Sequence, residues 1–473
     1  MNNLLRNHLY FCFFLYLAIL PIFGQNWVTV GTAGFSAGVA DYTSLALDSS
    51  NVPYVAYRDN VNSGKATVMK FNGTSWVTVG TAGFSAGVAN YTSLALDSSN
   101  VPYVAYRDVA HSNQAAAMKF NGTSWVPVGA TVFSAGAAYC PSLALDSSNV
   151  PYVAYSDSAN SSKATVRKFN GTSWVTVGTA GFSAGSVDVI SLAFDSSNVP
   201  YAAYSSSKAT VMKFDGTSWA PVGTAGFSVA GANPISLALD NSNVPYAAYK
   251  DSAAGGKATV MKFNGTSWVT VGIAGFSASA VTSISLALDS SDIPYVAYVD
   301  SGISYKATVM KFNGTSWVPV GTAGFSAGYA DYISLELDSS NVPYVAYSDN
   351  ANSNKATVMK YQAPTPIELL LFKAEYCEDH VAITWETATE IANAGFHIWR
   401  SECEQAGQAP LPGTYTKITG LLIPAQGGAS WGAKYSFNDF AIEPGKTYWY
   451  KLEDISTQGL SRFHEPMKVE TSK

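Results

Sequence analysis

The chain has 473 residues, of which 27 are lysine or arginine and 33 are aspartate or glutamate, so its formal net charge is −6. This mildly acidic balance leaves no basic patch to neutralise phosphates, which excludes nucleic acid as a partner. The chain is long for one domain, and its internal sequence repeats end near Tyr361. We therefore expect two domains.

The first 24 residues have the pattern of a targeting segment. Arg6 precedes an apolar run from Leu9 to Phe23, and Gly24 is a small residue suited to cleavage. The run is short for a membrane anchor and contains Pro21, so we interpret residues 1–24 as a secretory signal peptide. We expect a mature protein without a membrane span that is secreted or displayed at the cell surface, with the periplasm as the other compartment.

From residue 25 to Tyr361 the sequence repeats itself. Seven tryptophans occur in the same repeated sequence motif: Trp27, Trp76, Trp125, Trp174, Trp219, Trp268 and Trp317. Five of the intervals between them are 49 residues and one is 45. Each repeat holds four short runs rich in Val, Tyr, Phe, Trp and Thr, bounded by turn residues. Four strands per repeat without helical periodicity predict an all-β fold, a seven-bladed β-propeller over residues 25–361.

The order of strands in a blade follows from the turns and prolines. Asn72-Gly73 joins the third run to the tryptophan run, and we expect a two-residue hairpin there. Prolines at 127, 221 and 319 lie inside the tryptophan run, which favours an outer edge. The D-S-S-N-V-P-Y text after the inner strand resembles the turns of Asp-box and related bacterial propeller repeats. Because Trp27–Gly31 precedes the first inner strand, we predict that this N-terminal strand completes blade 7 and closes the ring.

The sequence repeats end at Tyr361, and the rest of the chain has a different composition. Residues 362–366 form a proline-containing linker, and residues 367–473 alternate strand-like runs that predict a small β-sandwich. The segments P-I-E-L-L-L-F-K-A, V-A-I-T-W-E-T-A-T-E-I-A-N-A-G-F-H-I-W-R-S and P-G-K-T-Y-W-Y-K-L-E-D-I resemble the fibronectin-type-III-like domains near the C-termini of surface proteins exported by the bacterial type IX pathway. In that resemblance Tyr448 is the corner tyrosine. Such proteins commonly carry a further sorting domain, which the sequence up to Lys473 does not contain.

Cysteines are few. Cys140 takes the place of Tyr42 and Tyr91 in its repeat, and we expect a buried, inert thiol there. Cys377 and Cys403 both lie in the final domain and are candidates for one disulfide in an oxidising compartment.

Two sets of residues are candidates for ligand contact, both on the face that carries the loops from second to third strand. Tyrosines at the start of inner strands offer rings for stacking on a sugar: Tyr42, Tyr91 and Tyr332. An acid ends the second strand in six repeats, whereas Ser206 stands there in the other: Asp59, Asp108, Asp157, Asp251, Asp300 and Asp349. One carboxylate per site would bind calcium only weakly, so we expect no cofactor and no metal site.

Catalytic patterns are not found in the sequence. No zinc, P-loop or serine-nucleophile motif is present, and His111 is the single histidine of the propeller. Arg58 and Arg107 occupy equivalent positions, which is short of the arginine cluster of sialidase-like propellers. We predict no catalytic residue and favour a binding protein over an enzyme.

The near-identity of the repeats predicts several equal, weak sites and therefore avidity. We expect a monomeric adhesion protein whose propeller binds extracellular glycan or protein ligands multivalently. Two alternatives stay open. One is an exported hydrolase or lyase acting on glycans through Asp41, Asp188 and Asp331 near the channel, and the other is a purely structural surface repeat. The repeated phenylalanines, Phe35 and its equivalents, are interpreted as plugs between blades.

Overall fold

The computed structural model describes residues 27–362, 367–402, 410, 414–428, 431–456 and 461–472. The chain divides into two units at the boundary between Gln362 and Ala363. The predicted signal peptide and most of the predicted linker lie outside the described residues. The helices that the structure describes are single 3-10 turns, none long enough to cross a membrane.

The first unit is a ring of seven antiparallel sheets of four strands, which confirms the predicted propeller. The inner strands are Ala40–Leu47, Ala89–Leu96, Ala138–Leu145, Ile190–Phe194, Ala232–Leu239, Val281–Leu288 and Ala330–Leu337. The second strands are Pro53–Asp59, Pro102–Asp108, Pro151–Asp157, Pro200–Ser205, Pro245–Asp251, Pro294–Asp300 and Pro343–Asp349. The third strands are Lys65–Phe71, Gln114–Phe120, Lys163–Phe169, Ala209–Phe214, Lys257–Phe263, Lys306–Phe312 and Lys355–Tyr361. Blades are numbered 1 to 7 in this order.

The outer strands carry the tryptophans. They are Trp76–Thr78, Trp125–Pro127, Trp174–Thr176, Trp219–Pro221, Trp268–Thr270 and Trp317–Pro319 in blades 1 to 6, and Trp27–Thr29 in blade 7. Pairing of Trp27 with Tyr361 and of Thr29 with Met359 confirms that the N-terminal strand closes the ring. The three prolines lie in edge strands, where a missing N–H breaks no ladder.

One turn differs from the sequence expectation. Phe71 pairs with Trp76, so the third and outer strands are joined by four residues rather than two. The Asn72 side chain accepts hydrogen bonds from the backbone N–H groups of Thr74 and Ser75, at 3.0 and 2.8 Å. The turn is therefore stabilised by the asparagine carbonyl, and only Gly73 has a positive φ, of 97°.

Each blade is joined to its neighbours at three radii. At the rim, the Trp76 indole N–H donates to the Val30 carbonyl of the preceding blade at 2.7 Å, and the Phe35 ring stacks on the indole with centroids 3.9 Å apart. Near the axis, the Ser44 hydroxyl accepts the Leu94 N–H of the next blade at 3.0 Å. At the turn after the inner strand, the Asn100 side chain accepts the Ser49 N–H at 3.0 Å.

All seven blades repeat these bonds, and the ring closes in each case. Trp27 donates to Val320 and stacks on Phe325. Leu45 donates to Ser334, and Ser339 donates to Asn51. The stacked phenylalanines confirm the interpretation that they plug the gaps between blades.

The second unit consists of two antiparallel sheets. One contains Glu368–Cys377, His380–Thr389 and Lys434–Asp439, and the other is built on Asn393–Glu402 and Thr447–Ser456. Shorter strands extend the second sheet: Thr416–Lys417, Ile423–Pro424, Ser461–Phe463 and Met467–Glu470. Side chains of both sheets, among them Trp385 and Phe396, share one core. The Tyr448 hydroxyl accepts the Glu443 N–H at 2.9 Å, a bond that fixes the corner before its strand.

The predicted disulfide is not tested by the structure. Cys377 is exposed, and Cys403 lies outside the described residues. The pairing of these two cysteines stays a prediction.

Removal of residues 25–31 tests ring closure. The deletion exposes the third-strand edge of blade 7 and removes Trp27, whose burial is worth about 3–5 kcal/mol. At about 2 °C per kcal/mol for a domain of this size, we expect the melting temperature to fall by about 6–10 °C or more. Thr29→Ala, which alters an exposed side chain of the same strand, should leave it within about 1 °C. An unchanged melting temperature for the deletion, measured by calorimetry, contradicts closure.

Candidate binding site at the mouth of the axial channel

Two sets of loops lie on one face of the propeller, which we call the loop face. One set joins second to third strands, and the other joins each outer strand to the next inner strand. The Asn60 N–H donates to the Val39 carbonyl at 3.1 Å, which ties the two sets together in blade 1. The inner strands begin at this face, so it contains one mouth of the axial channel.

The six aspartates predicted to contact ligand are buried inside the loops. The exposed fraction of Asp59 is 1%, and no member of the set exceeds 4%. The Asp59 carboxylate accepts hydrogen bonds from the Val61 N–H, the Asn62 amide and the Thr67 hydroxyl, at 3.2, 2.8 and 2.8 Å.

Each carboxylate of the set caps a 3-10 turn by accepting from the backbone N–H two residues later. The turns are Asn60–Asn62, Val109–His111, Ser158–Asn160, Ser252–Ala254, Ser301–Ile303 and Asn350–Asn352. The ligand role of these six aspartates stays a prediction that their contacts do not favour, because each carboxylate is buried and accepts a backbone N–H of its own turn: Asp59, Asp108, Asp157, Asp251, Asp300 and Asp349. The His111 ring contacts the Asp108 carboxylate at 2.7 Å.

The three predicted tyrosines lie together at the channel mouth. The ring of Tyr42 is 4.5 Å from that of Tyr91 and 4.7 Å from that of Tyr332, between centroids. Blades 7, 1 and 2 are consecutive around the ring, so the tyrosines form a continuous aromatic shelf. We use this name for Tyr332, Tyr42 and Tyr91 below.

A β-bulge puts the shelf in place. Pairing between the inner and second strands passes from Asp41–Arg58 to Ser44–Ala56, which leaves one extra residue on the inner strand. Tyr42, Tyr91 and Tyr332 have φ of 54°, 56° and 51°, and Cys140 of blade 3 has 48°. A left-handed backbone in a non-glycine residue costs on the order of 1–3 kcal/mol and clusters at functional sites.

Two threonine hydroxyls hold the backbone of the shelf by hydrogen bonds. The Thr43 hydroxyl donates to the Tyr332 carbonyl at 2.5 Å, and the Thr92 hydroxyl donates to the Tyr42 carbonyl. Both threonines are buried. The bulged tyrosines are therefore tied from one blade to the next, which makes the shelf preorganised.

Polar side chains surround the shelf. The Arg58 Nε lies 3.9 Å from the Asp41 carboxylate, and an Arg58 Nη donates to the Asn90 amide oxygen at 3.1 Å. The Arg107 guanidinium lies over the rings of Tyr91 and Tyr139, 5.4 and 4.9 Å from their centroids.

Below the shelf is a cavity of about 360 Å³, lined by inner-strand residues of all seven blades. Burial raises the pKa of Tyr91 and of Tyr332, so both phenols are neutral near pH 7 and can donate a hydrogen bond. Cys140 lines this cavity and is half-buried, so its side chain is less enclosed than expected. Burial raises its pKa to about 11, which keeps the thiol protonated and poorly nucleophilic.

The sequence repeats differ from one another at the positions that line the channel mouth. At the position of Tyr42 the seven blades carry Tyr, Tyr, Cys, Val, Pro, Ser and Tyr, and at the position of Arg58 they carry Arg, Arg, Ser, Ser, Lys, Val and Ser. Several equal sites would require that the blades be copies at these positions. The blades differ there instead, so the mouth of the channel is asymmetric.

The acids considered for catalysis have protein partners. Besides its contact with Arg58, Asp41 accepts from the Asn60 amide at 3.2 Å, and Asp188 accepts from the Asn233 amide at 3.2 Å. Asp331 accepts the N–H of Tyr332 at 2.8 Å. Within the described residues no group of three or more His, Cys, Asp or Glu side chains could hold a metal ion.

Glu336 is an acid on the inner strand of blade 7, where the other six inner strands carry alanine. Burial raises the pKa of its carboxyl to about 7. No second carboxyl group accompanies it at the equivalent positions.

Sequence reasoning did not assign the arginines, Asn90 or Tyr139 to the site. The signal that could have found them is the divergence between repeats, since a residue used only for packing between blades should recur in every blade. Arg58 and Arg107 break the repeat at the same strand end.

No family model matches the chain, and no curated protein sequence matches it. Among solved structures, a polysaccharide lyase described as an ulvan lyase is similar with a TM-score of 0.46 and 11% identity, covering 71% of this chain and 96% of its own. The six-bladed propeller lectin of Aleuria aurantia has a TM-score of 0.42 and 15% identity, covering 61% and 96%. The SapL1 lectin in complex with α-methyl fucoside has a TM-score of 0.41 and 14% identity, covering 63% and 99%. This similarity concerns the fold alone.

Asp59→Ala tests the structural role of the buried carboxylates. The substitution leaves donors from Val61, Asn62 and Thr67 without an acceptor, which should lower the free energy of unfolding by about 1–3 kcal/mol in urea denaturation. Ser206→Ala is the matched control, because blade 4 lacks the acid and its 3-10 turn. Equal stability of wild type and Asp59→Ala would contradict the capping role.

Proposed function

We propose that this protein is a glycan-binding protein whose single principal site is the channel mouth on the loop face. The observation that carries the proposal is the aromatic shelf. Three adjacent tyrosines are held in a strained backbone conformation above a cavity, and packing of the blades alone does not require them. The other blades hold Cys140, Val189, Pro234 and Ser283 at that position and close the same ring.

The chemistry of the mouth suits a sugar. A pyranose ring has an apolar face that packs on an aromatic ring, and hydroxyl groups at its edge that need donors and acceptors. The shelf supplies rings with hydroxyl groups, and Asn90, Arg58 and Arg107 supply polar groups beside it. A cavity of about 360 Å³ is sufficient for one or two sugar residues.

Binding is favoured over catalysis on the same geometry. A glycosidase needs two carboxyl groups flanking one bond, one of them with a raised pKa. The acids near the channel have structural partners, since Asp41 contacts Arg58 and Asp188 contacts Asn233. Glu336 has a raised pKa, but no second carboxyl group stands at the equivalent positions of the other inner strands.

We further propose that the protein acts outside the cell, with the second unit as spacer or attachment module similar to fibronectin type III. The Arg6-containing apolar N-terminus and the resemblance in residues 367–473 support this proposal. Fractionation of the producing cells tests it. Recovery of full-length protein, with residues 1–24 retained, from the cytoplasm contradicts it.

A glycan array probed with the purified full chain, followed by calorimetry on the best ligand, tests the binding function. We expect Tyr42→Ala to weaken binding about 10-fold or more, since Tyr42 contacts both other rings of the shelf. Trp431→Ala is the control for adhesion to any exposed aromatic ring, because Trp431 is 61% exposed in the second unit, and it should leave binding unchanged. Calcium should have no effect.

Wild-type protein that binds no saccharide contradicts the proposed function. So does binding that survives Tyr42→Ala in a variant whose melting temperature is unchanged.

A further inference from the structure

Arg58 and Arg107 hold equivalent positions in adjacent blades but are neutralised differently. In blade 1 the inner-strand partner of Arg58 is Asp41, whose carboxylate lies 3.9 Å from the guanidinium. In blade 2 the corresponding partner of Arg107 is Asn90, which carries no charge. The Asn90 amide oxygen accepts from Arg58 rather than from Arg107.

Arg107 therefore has no counter-ion. Among the described residues no carboxylate oxygen lies within 4.0 Å of its nitrogens, and its buried Nε, like those of Arg58 and Arg167, has no hydrogen-bond acceptor. A guanidinium has five donors in a planar fork, and a buried donor without an acceptor costs free energy. The side chain is thus ready to accept an anion from outside the protein.

Two rings hold Arg107 in place. Its guanidinium carbon lies 4.9 Å from the ring centroid of Tyr139 and 5.4 Å from that of Tyr91. Tyr91 belongs to the aromatic shelf and lines the cavity, whereas Tyr139 is 38% exposed. The charge is therefore fixed at the edge of the site, next to the place where a sugar ring would stack.

Two acids of the mouth do not form an ion pair with Arg107. Asp41 is paired with Arg58, and Asp188 accepts from the Asn233 amide at 3.2 Å. Arg107 lowers and Asp188 raises the pKa of the Cys140 thiol, so both charges act on the same part of the mouth. An anionic group is favoured on the blade 2 side, where the guanidinium of Arg107 lies against Tyr91 and Tyr139.

We propose that Arg107, with Tyr91 and Tyr139, forms a subsite for the acidic group of a glycan, either a uronate carboxylate or a sulfate ester. This inference rests on the proposed function and adds the class of ligand. A planar carboxylate accepts two parallel hydrogen bonds from a guanidinium, and a sulfate ester offers the same pair of acceptor oxygens. The sugar ring that carries the group would stack on the shelf.

Calorimetry with the full-length protein tests the subsite. The probes are trigalacturonate, its methyl ester as the neutral counterpart, and a sulfated carrageenan tetrasaccharide. A charged hydrogen bond worth about 1.5–3 kcal/mol predicts that wild-type protein binds an acidic probe about 10- to 100-fold more tightly than the ester. The acidic probe that binds more tightly distinguishes carboxylate from sulfate.

Arg107→Gln should abolish the preference, because it lowers the affinity for the acidic probe about 10- to 100-fold and the affinity for the ester by much less. Lys250→Gln is the matched control, since it removes one positive charge at the equivalent position of blade 5, away from the aromatic shelf, and it should keep the preference. Asn90→Asp gives Arg107 a carboxylate at the register position that Asp41 has in blade 1, so it should also reduce the preference.

A preference for acidic probes that persists in Arg107→Gln overturns the subsite. Equal binding of the acid and the ester by wild type also overturns it, and in that case the glycan-binding function stands. Absence of binding to every saccharide on the array contradicts the proposed function itself.

Discussion

The structure depends on closure of the ring, because no blade buries its own faces. Each indole donates to a carbonyl of the preceding blade, and each inner-strand serine accepts an N–H from the next. These bonds form closed circles only because Trp27–Thr29, from one end of the propeller sequence, pairs with Lys355–Tyr361, from the other. The chain at those positions has little freedom to vary, since a change in one blade leaves its neighbour without a partner.

Residues that bind a ligand can vary only at positions that are not needed to join the blades. The rim, the D-S-S-N turns and the buried aspartate caps are all used for packing, so they recur almost unchanged. The side chain at the position of Tyr42, two residues into the inner strand, differs between blades and makes no bond that recurs around the ring. There the chain places three tyrosines in a left-handed conformation, with two arginines beside them. The strain at these residues is stabilised by the rigid ring around them, which is the arrangement expected of a preorganised site.

Much of this architecture is predictable from the sequence because the repeat encodes it. The period of the repeat predicts the number of blades, and the prolines of the tryptophan runs predict that these strands lie at the outer edge. The position of Trp27 before the first inner strand predicts closure of the ring. The burial of Asp59 and its equivalents could not be predicted in this way, since the sequence around a loop aspartate does not show whether its carboxylate caps a turn or faces solvent. The site itself was only half predictable. Tyr42, Tyr91 and Tyr332 were recognised, but their mutual contact depends on a bulge and on the circular adjacency of blades 7, 1 and 2.

We propose that one asymmetric site at the channel mouth, rather than a set of equal sites, binds the ligand. The stoichiometry of binding by isothermal titration calorimetry, with the best saccharide from the array and the full-length chain, tests this claim most directly. The account predicts one saccharide per chain, with loss of that single event in Tyr42→Ala. Six or seven equivalent sites per chain would contradict it, because only the repeated positions of the blades can supply that number.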